Sequence, residues 1–106
     1  QDSMIIKQSW AEKESGFWNS WKQRWIVLRK PVLNQSASLY VYKEERKYIN
    51  PTVTIELNRN NCQMQNVCKK DKQAFKLIVS NGKKISKYRF RIKNDGLRQE
   101  WKDTIS

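Results

Sequence analysis

Trp21-Lys22-Gln23-Arg24-Trp25-Ile26-Val27-Leu28 is the stretch on which the fold turns. Side chains alternate sides along a strand, so Lys22 and Arg24 leave on one side while Trp21, Gln23 and Trp25 leave on the other. Nine residues before Lys22 stands Lys13, in Ser9-Trp10-Ala11-Glu12-Lys13, a segment with strand character of its own. A turn through Glu14 to Ser20, with Gly16 in it, folds the first segment back on the second and sets Lys13 beside Lys22 and Arg24. The expected product is a small cationic cup on a strand pair that keeps an apolar side.

Further along the chain strand signals recur and one helix signal appears. Met4 to Lys13, Trp21 to Lys30, Ala37 to Lys43, Val53 to Leu57, Cys62 to Val67, Ala74 to Val79 and Lys87 to Lys93 make seven expected strands. Pro31 opens a polar loop, since it cannot donate to a ladder. Asn81-Gly82 reads as a hairpin turn of the primed kind, because both residues tolerate positive φ. After Asn94-Asp95, which are good helix-capping residues, Leu97, Trp101 and Ile105 recur every four residues and share one helical stripe. The chain is thus expected to be mainly β, a seven-stranded antiparallel bent sandwich or partly open barrel capped by one C-terminal α-helix. Trp101 is then a core plug.

In this order and spacing the chain resembles a pleckstrin homology (PH) domain of the phosphoinositide-binding type. Those members carry Lys, a variable loop, then Lys/Arg-x-Arg-x and two apolar residues, here Lys13, the loop, and Lys22-Gln23-Arg24-Trp25-Ile26-Val27. Leu39-Tyr40-Val41-Tyr42 looks like the family's third strand, Thr54 to Leu57 with Cys62 like the fourth and fifth, and Phe75 to Ile78 like the sixth. Tyr88 to Ile92 and Arg98 to Trp101 match the last strand and the helical Trp.

The resemblance implies that Lys13, Lys22 and Arg24 bind the headgroup, with Arg46 and Lys47 from the third-strand exit as outer contacts. Arg24 suits the task best, because its planar fork grips two phosphate oxygens, whereas a Lys acts as a mobile point charge. Where several high-affinity members place a Tyr, the third strand here has Val41, and the turn from Glu14 to Ser20 has no basic residue. That turn does carry Phe17-Trp18. Adjacent aromatics beside a headgroup cup are expected to insert into the membrane interface, where a Trp ring is half immersed. The implied role is to recruit a parent protein to phosphoinositide lipids in an anionic membrane, peripherally on the cytosolic face, the plasma membrane foremost. The alternative is a protein-protein interaction module on the same fold, using a sheet edge or the Arg98, Glu100 and Lys102 side of the helix.

Composition bounds these expectations. The 106 residues suffice for a single domain, 1–106, and one modest core. The start at Gln1 is read as an excision from a larger protein, with the isolated domain a monomer. Twenty-two Lys and Arg against ten Asp and Glu leave +12, which favours an acidic partner. Lys43, Arg46, Lys47, Lys83, Lys84 and Lys87 add a diffuse field, each cation contributing on the order of 1 kcal/mol near an anionic leaflet. Nucleic acid is the lesser candidate, since most Trp and Tyr fall on alternating positions that suit a core.

With no His, no Gly-rich phosphate loop and scattered acids, an enzyme is not expected, nor a cofactor. Cys62 and Cys68 lack companions for a metal site and read as free thiols, Cys62 as a small buried apolar residue.

Overall fold

β1 (Ser3–Glu14) and β2 (Trp21–Pro31) pair antiparallel in the computed structural model, with Lys13 opposite Lys22 and Ala11 opposite Arg24. The structure describes residues 3–15, 20–31, 37–57, 62–68 and 71–105. The remaining strands are β3 (Ala37–Tyr42), β4 (Val53–Leu57), β5 (Cys62–Cys68), β6 (Asp71–Asn81) and β7 (Lys84–Arg91), followed by α1 (Asp95–Ile105). They form one antiparallel sheet of order β4-β3-β2-β1-β7-β6-β5. This is the expected mainly β architecture with a C-terminal helix.

The concave side of the sheet encloses the core. Ala11, Ile26, Leu28, Leu39, Val41, Ile55, Leu57, Phe75, Leu77, Val79 and Phe90 meet there, with Ile92 and Trp101. Alternation therefore sets Lys22 and Arg24 on the same side of β2 as Ile26 and Leu28, at the end of the core rather than opposite it. The convex side carries a second apolar cluster of Trp25, Val27 and Tyr42, with Ile5, Trp10 and Tyr40 against it. Trp10 and Trp25 meet edge to face at 5.3 Å, a favoured aromatic geometry. Most of the expected core tryptophans and tyrosines of β1 to β3 thus pack outside the barrel.

A register shift between Ile5 and Lys7 decides which residues of β1 face inward. Ile5 belongs to the convex cluster, and the extra residue at Ile6 turns Lys7, Ser9, Ala11 and Lys13 to the concave side. A bulge leaves one residue unpaired and so reverses the parity of all that follow. Without it, Ile5 would leave by the concave side.

Helix α1 closes one end. Asn94 Oδ1 accepts the backbone N–H of Leu97 at 2.8 Å, an N-cap bond. Leu97 and Ile105 pack on the core and Trp101 is fully buried in it. Trp101 Nε1 donates to Ser9 Oγ at 2.8 Å. Lys7 lies over the Trp101 ring at 5.8 Å and pairs with Glu100 at 2.6 Å, so β1 and the helix are latched by both apolar and polar contacts.

The last hairpin differs from expectation. Its two-residue turn is Gly82-Lys83, one position later than Asn81-Gly82, with Asn81 opposite Lys84 and φ +61° at Gly82. A positive φ at the first turn residue, with none at Lys83, follows the II′ pattern that suits strand twist. β7 begins three residues earlier than expected because Lys84 to Ser86 lie beyond the core, where no apolar alternation marks a strand.

Candidate functional site

Lys13, Lys22 and Arg24 line one open cleft of about 120 Å³, together with Glu14, Ser15, Thr52 and Val53. β1 and β2 bring the first two together as directly opposed residues, and Arg24 stands one inward position further along β2. Thr52 and Val53 complete the wall where β4 begins, tied to β3 by the Thr52 N–H donating to the Val41 carbonyl at 2.7 Å. The cleft sits at the opposite end of the core from Trp101. Among the described residues, neither Lys22 nor Arg24 has an acidic partner; Arg24 Nη1 donates to the Gln23 carbonyl at 2.8 Å.

Lys13 sits where its charge is disfavoured. Its ammonium is pushed below the ordinary lysine pKa, first by burial and then by the Arg24 charge, with Glu14 acting weakly the other way. Lys13 Nζ meets the Glu14 carbonyl at 3.4 Å and lies 6.0 Å from the Tyr88 ring centre. None of these contacts supplies a full counter-charge.

The acids nearest the cleft are engaged by arginines of β7. Arg89 Nη1 donates to Glu14 at 3.2 and 3.4 Å. Arg91 holds Glu12 by two bonds, Nε to Oε1 at 2.8 Å and Nη2 to Oε2 at 3.1 Å, and its guanidinium stacks over Trp21 at 4.5 Å. The Glu12 carboxyl is accordingly held below its ordinary pKa, chiefly by the Arg91 hydrogen bonds against the opposing effect of burial. These pairs also fasten β1 to β7, which share only two register pairs, Glu12 with Arg91 and Lys13 with Phe90.

Arg46 and Lys47 do not join the cleft. The segment after β3 folds over the convex side, where Arg46 stacks on Trp25 at 5.4 Å and pairs with Glu45, while Lys47 pairs with Glu44. Trp10 Nε1 donates to Glu45 and the Tyr48 hydroxyl to Gln8, which anchor the segment there. Their placement as outer headgroup contacts is therefore corrected: the sheet lies between them and Lys13. The left-handed backbone at Arg46, φ 56°, redirects the chain at that point. Tyr40 and Tyr42 also face the convex cluster and Val41 is core, so none of the three offers a hydroxyl to the cleft.

Phe17 and Trp18 lie outside the described residues. Among the described residues there is no cluster of metal-ligating groups, and no helix is long and apolar enough to cross a membrane.

The geometry defines a β-barrel module with an end-on cationic mouth, the class of the pleckstrin homology domains. The family model for the pleckstrin homology domain matches residues 5–106, and the chain belongs to that family. Members of the family are typically non-catalytic interaction modules. Among solved structures, the carboxyl-terminal PH domain of pleckstrin is similar, with 24% identity, a TM-score of 0.77 and coverage of 97% of this chain and 94% of that one. The same pleckstrin domain in complex with D-myo-Ins(1,2,3,5,6)P5 matches at 24% identity and TM-score 0.76, covering 96% and 92%. The Slm1 PH domain in complex with inositol-4-phosphate matches at 19% identity and TM-score 0.71, covering 96% and 93%. No curated protein sequence matches the chain.

One expected result tests the strain at Lys13. A group whose pKa is lower folded than unfolded destabilises the fold while charged, and stability is regained as pH rises from the folded toward the unfolded value. Lys13→Met keeps the aliphatic stem and removes the charge. It is expected to raise the urea midpoint at pH 7 while weakening anion binding, and the stability gain over the parent should shrink toward pH 10.5. Urea titrations of both proteins at pH 7 and pH 10 check it.

Proposed function

We propose that this domain binds phosphoinositide headgroups through Lys13, Lys22 and Arg24 and so recruits its parent protein to the cytosolic face of an anionic membrane. The observation that carries the reading is the convergence of three cations on one cleft, with the neighbouring carboxylates already engaged by Arg89 and Arg91. Holding like charges together without acidic partners costs stability; an anion with several phosphates offsets that cost. The inositol phosphates bound by the pleckstrin and Slm1 domains have this chemistry. Arg24 is assigned the bidentate grip, and Lys13 and Lys22 flank it as point charges. Phe17 and Trp18, between β1 and β2 in the chain, are assigned to the membrane interface. The role is binding rather than catalysis.

The test is sedimentation with two sets of phosphatidylcholine vesicles, one carrying phosphatidylinositol bisphosphate and one carrying enough phosphatidylserine to match its charge. A specific contact of about 1.4 kcal/mol corresponds to a preference of about tenfold for the first set. Replacing Phe17 and Trp18 by Ser should weaken binding to both sets. Equal affinity of the parent protein for the two sets would leave only diffuse attraction, and the headgroup assignment would be withdrawn.

A further inference from the structure

The pairing of β1 with β2 runs one step beyond the strands themselves. Lys13 is directly opposed to Lys22 and Glu14 to Trp21, and the Ser15 N–H then donates to the Ser20 carbonyl at 2.9 Å, which makes Ser15 and Ser20 the next pair. Side chains alternate along a strand, so the two serines leave on the same side as the two lysines, about 7 Å further along. Their hydroxyls are hydrogen-bonded to each other, and Ser15 Oγ donates to the Ser20 carbonyl at 3.3 Å. Ser15 lines the cationic cleft, half-buried, while Ser20 is exposed beside it.

A pair of serines closing a turn is ordinary in itself. What sets this pair apart is its distance from charge: one same-side step away stand Lys22 and Arg24, which have no acidic partner among the described residues. A phosphoserine carries close to two negative charges and three acceptor oxygens, and opposite a group of cations it forms one to three charge-assisted hydrogen bonds. Esterified to Ser20, the phosphate belongs to the same strand ribbon as Lys22 and Arg24 and meets them at an effective concentration on the order of millimolar or higher, whatever the concentration of free ligand. Ser20 is the better acceptor of the two because it is exposed and lies outside β2. Lys22 and Arg24 follow it in the chain, so the segment presents basic charge to a kinase with an acidic substrate groove.

We infer that Ser20 is a phosphorylation site, and that its phosphate turns onto Lys13, Lys22 and Arg24 as a tethered competitor that releases the domain from the membrane. A protein kinase supplies the group from a nucleoside triphosphate. The bond from Ser20 Oγ to the γ-phosphorus forms as the bond from that phosphorus to the bridging oxygen breaks; the nucleoside diphosphate leaves with the electron pair, and the hydroxyl proton passes to the kinase's base. The inference rests on the headgroup reading of the cleft. It adds a control: the charge cluster that attracts the lipid also accepts a phosphate from its own chain.

The experiment uses the parent protein, Ser20→Ala, and the protein carrying phosphoserine at position 20. Serine/threonine kinases with acidic substrate grooves, supplied with radiolabelled ATP, should label the parent protein and leave Ser20→Ala unlabelled. No labelling by any of them, or labelling that survives Ser20→Ala, overturns the acceptor. Ser20→Ala should bind soluble inositol pentakisphosphate as the parent does, whereas the phosphoserine protein should bind it at least tenfold more weakly by calorimetry. Repulsion from a phosphate anywhere nearby would also weaken binding, so two further readouts locate the group. Phosphoserine at position 20 should raise the urea midpoint over the parent, a gain lost when Lys22→Met is added, and its phosphorus resonance should titrate below the ordinary second pKa of about 6. A phosphate that titrates as in a free peptide, or a midpoint unmoved or lowered, overturns the inference. If the parent protein fails to bind inositol pentakisphosphate, the headgroup reading falls alone, because the midpoint and the phosphorus titration still decide whether the phosphate sits on the cations.

Discussion

Arg24→Ala should lower affinity for a soluble inositol polyphosphate about ten- to a hundredfold, while the unfolding midpoint stays within experimental scatter of the parent. The first half follows from removing a charged, bidentate donor, for which hydrogen bonds to charged groups give about 1.5–3 kcal/mol. The second follows from the native contacts of Arg24. Its guanidinium donates to the adjacent Gln23 carbonyl, and its charge depresses the Lys13 pKa rather than neutralising an acid. Removing it therefore relieves repulsion as well as deleting packing. Arg24→Lys keeps the charge without the fork and should fall between the two. Calorimetric titration beside a urea melt reads both halves; an affinity unchanged by Arg24→Ala would remove the central donor from the proposed site.

Trp101→Ala should have the largest effect on stability, a loss of about 3–5 kcal/mol, as expected for a large aromatic truncated in a closed core. Trp101 is fully buried, and it is the side chain through which the helix enters the barrel. The substitution also strands Ser9, whose Oγ accepts the indole N–H, and takes away the ring beneath Lys7. A core of one modest domain has little margin for such a loss. Urea denaturation followed by circular dichroism measures it. A loss under about 1 kcal/mol, the range of surface substitutions, would show that the helix is not the plug of this core.

How much was legible in the sequence depended on whether burial left a period. β2 was plain because Trp25 to Leu28 are all buried, and the helix because Leu97, Trp101 and Ile105 share a stripe over the core. The convergence of Lys13, Lys22 and Arg24 followed from alternation and from a resemblance in spacing. The bulge at Ile6 instead sets the side taken by Ile5, and nothing in Met4-Ile5-Ile6-Lys7 announces it. Arg46 and Lys47 were misplaced for a related reason. Linear proximity to the β3 exit says which end of the strand they follow, but the side is chosen by tertiary partners, Trp10, Trp25 and Gln8, that lie far back in the chain. The extension of β7 went unread because both faces of Lys84 to Ser86 are outside the core, so no apolar rhythm marks them as strand.

The run of inward residues on β1 has a consequence for orientation. Lys7 and Ser9 hold the helix, Ala11 fills the centre and Lys13 reaches the mouth, so a single stiff ribbon spans the domain from pole to pole. Lys13 lies six positions after Lys7 along the strand, about 20 Å away. A domain seated on a bilayer by its mouth thus turns α1 toward the aqueous phase, where a fluorophore on the outward side of that helix would report docking without obstructing it.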